Sequence, residues 1–157
     1  MRALAILLVL IAAAFPARAA TVVVIGDSIA VGIGGQLAPH LPGIEVESRA
    51  AVGARTLQVV PQAVKAAASK PAAVIIQVGT NDAVGGAPGP VSTDIASVLH
   101  PLTAAQVQIV CIETLPGIRT DLAAGVPSVS KTIKDACDAD GAAWVPINPA
   151  ALAERAR

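Results

Sequence analysis

Five short apolar runs recur along this chain at even intervals: Thr21–Ile25, Ile44–Glu47, Ala73–Val78, Val107–Ile112 and Ala142–Ile147. Longer stretches with helical spacing separate them, at Ile29–Leu41, Leu57–Ser69, Val91–Leu102 and Val126–Ala139. A strand that is apolar along its whole length must be covered on both faces. Such strands alternating with helices predict a parallel sheet with right-handed crossovers. The fold class is therefore α/β: a three-layer, doubly wound domain with a five-stranded parallel sheet of the flavodoxin-like kind. After the last run, residues 149–157 are enough for a short C-terminal helix of about two turns. Chemistry in such folds collects at the carboxyl ends of the strands.

Two of those strand ends carry reactive residue types. Val22-Val23-Val24-Ile25 runs into Gly26-Asp27-Ser28, and Ala73-Val74-Ile75-Ile76-Gln77-Val78 into Gly79-Thr80-Asn81-Asp82. A serine at a strand-to-helix turn has its hydroxyl at the open edge and its N–H at a helix N-terminus. One residue can then supply both a nucleophile and an anion-stabilising donor. Asp27 and Asp82 fit turn-forming roles, and Asp27 with Ser28 would also make an ordinary helix cap.

Composition narrows the function classes. Arg2, the apolar stretch Ala3–Phe15 and the small-x-small triplet Ala17-Arg18-Ala19 predict a signal peptide over residues 1–19, followed by one domain over 20–157. Taking 19 residues from 157 leaves 138, and losing Arg2 and Arg18 turns 11 basic against 11 acidic residues into 9 against 11, a net charge of −2. That balance points to neither nucleic acid nor an anionic membrane surface, and no stable membrane anchor is expected after cleavage. Trp144 is then the sole aromatic residue, so platforms for stacking bases or sugars are nearly missing. The expected location is secreted or periplasmic. There Cys111 and Cys137 could form a disulfide, although the mid-strand setting of Cys111 favours two buried thiols. With no histidine nearby they are not a metal site, and neither a metal nor another cofactor is expected.

The two motifs, in this order, resemble those of the SGNH (GDSL-type) hydrolase family, and the resemblance runs over nearly the whole mature chain. It implies an exported serine hydrolase that cleaves acyl esters, with Ser28 in Gly26-Asp27-Ser28 as nucleophile. It also implies an oxyanion hole made by the N–H groups of Ser28 and Gly53 and the side-chain amide of Asn81, with Gly26, Asp27, Gly79 and Asp82 as supporting residues. A tetrahedral intermediate concentrates charge on one oxygen, and each fixed donor aimed at it is worth about 2.7–4 kcal/mol. The implied substrate is a small acyl ester or an O-acylated carbohydrate.

The family's C-terminal Asp-x-x-His is missing. Only His40 and His100 exist in the chain. His40 lies 12 residues beyond Ser28, about 18 Å along a helix, and His100 near the end of the third helical stretch. Both suit helix C-termini better than a catalytic base. Two explanations stay open. The reading frame stops before the motif, or Val145-Pro146-Ile147-Asn148-Pro149 occupies its place, with Val145 for the acid and Asn148 for the base. Glu113 is the one carboxylate to weigh as a stand-in, against the plainer role of a loop acid or cap, and the catalytic base is unknown.

Two other classes compete with this reading. A non-catalytic or truncated SGNH-like domain would keep the anion hole to bind an acylated or anionic ligand. A nucleotide-binding domain is prompted by Gly32-Ile33-Gly34-Gly35, but these glycines fall inside the first helix and the final glycine of the fingerprint would fall at Leu37.

Overall fold

The structure, a computed structural model, describes residues 20–83, 90–115 and 124–147. The expected signal segment, the short C-terminal helix and Asn148 lie outside the described residues. Five strands are present: β1 (Thr21–Gly26), β2 (Glu45–Ser48), β3 (Ala73–Gln77), β4 (Gln108–Ile112) and β5 (Ala143–Val145). They form one parallel sheet in the order β2-β1-β3-β4-β5. The chain builds outward from β1 in one direction, then returns past it and builds in the other. That reversal makes the β1–β3 boundary the switch point, where loops diverge and leave a crevice.

Four α-helices are described: α1 (Ser28–Leu37), α2 (Val60–Ser69), α3 (Val91–Ala104) and α4 (Val126–Ala139). A 3-10 turn, Ala38–His40, extends α1, and another, Thr56–Val59, leads into α2. Val23, Ile25, Val74, Ile76, Ile109 and Cys111 point from the sheet into one core with α2, α3 and α4. Alternation puts Val22 and Val24 on the opposite face. They are buried there, on the side where Ala30 and Gly34 of α1 pack. Three layers follow, as the sequence predicts. Among the described residues no helix is long and apolar enough to cross a membrane.

One expectation is corrected. Cys111 and Cys137 are joined as a disulfide, not held as two buried thiols. Cys111 on β4 faces the inner side of α4, and the Cα atoms are 6.6 Å apart, within bridging range. Sequence separation alone could not show that approach. Trp144 lies in register with Cys111, and the ammonium of Lys134 sits 5.9 Å from its ring centroid.

Candidate active site at the switch point

Gly26 ends β1 and sets up everything that follows. Its φ is +141°, and a Cβ there would lie 1.9 Å from the carbonyl oxygen of Gln77. Only glycine lets β1 and β3 stay paired to their last residues. The Asp27 N–H then donates to that same carbonyl at 3.2 Å, and the Gly26 N–H donates to Oε1 of Gln62 at 2.9 Å. Asp27 caps α1, its Oδ1 accepting the Ile29 N–H at 2.8 Å. Ser28 is the first residue of the helix and is exposed. An exposed hydroxyl at a capped N-terminus is well placed to meet a substrate.

Asp27 itself is completely buried, and its Oδ2 has no hydrogen-bond partner among the described residues. Burial pushes its carboxyl above the usual carboxylate range, and the Ile29 N–H pulls the other way. Its bonding is that of a cap.

The second segment is a turn, Ala51–Ala54. The Ala51 N–H donates to the Gly26 carbonyl at 2.9 Å and the Ala54 N–H to the Ala51 carbonyl at 3.2 Å. Gly53, with φ +77°, occupies the third position. That is a type II turn, which requires positive φ there. A Cβ on Gly53 would meet nothing within 4 Å, so the backbone angle alone demands glycine.

Asn81 supplies the third segment. Its amide nitrogen donates to the Ala54 carbonyl at 2.9 Å. An amide nitrogen carries two N–H bonds, so this contact fixes the side chain and leaves one for another acceptor. Asp82 secures the other flank, its Oδ2 accepting from the Thr56 N–H at 2.9 Å and hydroxyl at 2.8 Å. Gly79 is buried, and its carbonyl accepts the Asp82 N–H at 3.2 Å. The segments holding Ser28, Gly53 and Asn81 are thus joined at one edge. The ties from Gln62, Thr56 and Ala54 went unseen in the sequence, because a glutamine, a threonine and a carbonyl leave no motif.

The histidines are elsewhere. α1 runs away from Ser28 for its 10 residues, about 15 Å, and exposed His40 ends the 3-10 turn beyond it. His100 is exposed on α3, four residues before that helix ends at Ala104. It lines a groove of about 320 Å³ with Ala96, Leu99, Thr103, Ala136 and Asp140. A neighbouring groove of about 360 Å³ lies where β4 and β5 begin. Both grooves belong to the amino edge of the sheet, opposite Ser28.

Glu113 does stand at the carboxyl edge, just past β4. Its N–H donates to the Val145 carbonyl at 3.0 Å and its Oε2 accepts the Ile147 N–H at 2.8 Å. Its carboxylate is engaged in holding the chain after β5. Among the described residues no group of three His, Cys, Asp or Glu side chains could hold a metal ion.

Comparison with known proteins agrees with this architecture. The model of the GDSL-like lipase/acylhydrolase family matches residues 24–157. No curated protein matches the chain. Among solved structures, a GDSL-like lipase from Bacteroides thetaiotaomicron is similar at 19% identity, over 84% of this chain and 70% of its own, with a TM-score of 0.66. A lipase/acylhydrolase from Enterococcus faecalis is similar at 17% identity, over 80% and 75%, with a TM-score of 0.64. The SGNH-hydrolase family esterase AlinE4 is similar at 15% identity, over 83% and 77%, with a TM-score of 0.65. At such identities the likeness speaks for the fold.

Proposed function

The chain belongs to the GDSL-like lipase/acylhydrolase family, and from that premise we propose that it is an exported serine hydrolase acting on small acyl esters through Ser28. In this reading the Ser28 hydroxyl attacks the ester carbonyl. The oxygen that becomes negative is received by the N–H groups of Ser28 and Gly53 and by the amide of Asn81. Collapse expels the alcohol, which carries off the proton given up by the hydroxyl, and leaves an acyl group on Ser28. Water then removes that group as the carboxylic acid and restores the hydroxyl. The observation that carries this reading is the tie of Asn81 to Ala54 and of Ala51 to Gly26. Donors fixed before substrate arrives need no reorganisation as charge develops.

Export is inferred from Arg2 and the apolar stretch Ala3–Phe15. An O-acylated carbohydrate outside the cell is the substrate class that fits this location.

A second reading is favoured by one observation: both histidines sit on elements that end at the far edge, and Glu113 already accepts a backbone N–H. With no assigned proton acceptor, the domain would bind an acylated or anionic ligand without turning it over. Hydrolysis of p-nitrophenyl acetate by residues 20–157, which contain every described element, separates the two. Catalysis by an oxyanion hole alone, about 10³–10⁴-fold over water, survives loss of the nucleophile, so only the Ser28-dependent part of the rate counts. Turnover that Ser28→Ala lowers supports the hydrolase. A rate equal to that of Ser28→Ala supports the binding domain.

A further inference from the structure

The near-neutral overall charge hides a local asymmetry. From Ala50 to Asn81 the only charged residues are Arg55, Lys65 and Lys70, all basic. Within this stretch the turn Thr56–Val59 leads directly into α2. One side of that unit, with Val59, Ala63 and Ala66, is buried in the core. The other side carries Leu57, Pro61, Val64 and Ala68, all exposed. Their spacing of four, three and four residues puts them in one stripe. Leu57 keeps 56% and Val64 51% of its surface exposed. Five residues before the stripe's first residue, Val52 on the Gly53 turn is 80% exposed.

A helix face meant for water looks different on this molecule. The outer side of α4 carries Lys131 paired with Asp135 at 2.6 Å and Lys134 paired with Asp138 at 2.5 Å. The unit Thr56–Ser69 carries no acid of its own, and the acids at its ends are engaged, Asp82 with Thr56 and Glu47 with Arg49. An apolar stripe flanked by cations is the pattern of a helix that lies on a lipid surface. Covering the stripe with a second copy would be isologous by two-fold symmetry. It would bring Arg55, Lys65 and Lys70 of both chains together, which like charge opposes.

We propose that the outer face of the 56–69 helical unit, with Leu57, Pro61, Val64 and Ala68 flanked by Arg55, Lys65 and Lys70, is a docking surface for anionic lipid. The stripe starts beside the Ala51–Ala54 turn, so docking brings the Ser28 edge close to the lipid. That the docked protein draws its ester from that surface rests on the hydrolase reading; docking itself does not.

Cosedimentation of residues 20–157 with vesicles tests this, using phosphatidylcholine alone and phosphatidylcholine with phosphatidylglycerol. The expected result is binding to the anionic vesicles and little to the neutral ones. The exposed double variant Leu57→Ser/Val64→Ser should bind about tenfold more weakly, and Lys65→Glu at least about fivefold. An unchanged unfolding midpoint shows that these variants still fold. Absence of binding by the parent chain, or equal binding by the double variant, overturns the proposal. So does a dimer in solution that the double variant dissolves, because a second copy would then cover the stripe. Vesicle binding without ester hydrolysis by any form upholds docking and sinks only the hydrolase reading.

Discussion

Around Gly26, Gly53 and Asn81 three separate segments are tied together by backbone and amide hydrogen bonds. Past the ends of β4 and β5, among the described residues, Glu113 accepts the Ile147 N–H, and the Thr114 hydroxyl donates to the Val78 carbonyl. The first region presents hydrogen-bond donors in fixed positions, while the second presents no histidine and a carboxylate that is already engaged. In the hydrolase reading the task of stabilising an anion falls to the first region, and neither region is assigned the task of moving a proton.

Removing Asn81 should give the largest effect on that contrast. Asn81→Ala deletes a donor and its tie to Ala54, and should lower the p-nitrophenyl acetate rate by about 10²–10³. A loss below threefold would mean that the first region is not an oxyanion hole.

Asp27→Asn is aimed at stability. Asn keeps the acceptor for the Ile29 N–H and removes a buried charge. The folded-state pKa of Asp27 lies above its ordinary 3.8, so the folded chain holds this proton more tightly than the unfolded one. The wild type therefore loses stability as pH rises from about 3.8 through the folded-state value. Urea denaturation should find the variant more stable at pH 7, with the advantage shrinking as pH approaches 4. A pH-independent difference would refute the assignment.

Glu113→Gln should do least. Gln retains an acceptor for the Ile147 N–H, and the hydrolysis rate should stay within about twofold of the parent, since a side chain that only holds backbone adds nothing to proton transfer. A drop of tenfold or more would instead identify Glu113 as the missing base and join the two regions into one machine.

Much of the first region could be seen in the sequence, and little of the second. Apolar runs such as Val22–Ile25 and Val74–Ile76 announce buried parallel strands, because nothing else covers both faces of so short a segment. Gly26-Asp27-Ser28 and Gly79-Thr80-Asn81-Asp82 follow those strands directly, so locating the strands also located the motifs. The hydrogen bond from Thr56 to Asp82 spans 26 residues and the one from Gly26 to Gln62 spans 36. Such contacts depend on how loops pack, and no local periodicity encodes them. Glu113 and Ile147 are 34 residues apart, and their bond became visible only once β4 and β5 were adjacent. For the same reason the sequence left the Cys111–Cys137 bridge as one of two options and leaned toward free thiols.

That bridge bears on where the protein can prosper. It closes a loop across 26 positions, and closing a loop of that size costs an unfolded chain about 3–4 kcal/mol of conformational freedom. Domains of this length hold only about 5–15 kcal/mol in reserve. Oxidising surroundings would therefore supply a sizeable part of the margin. The same polypeptide kept among reducing thiols would tolerate fewer mutations and less heat, although every residue at the Ser28 edge were unchanged.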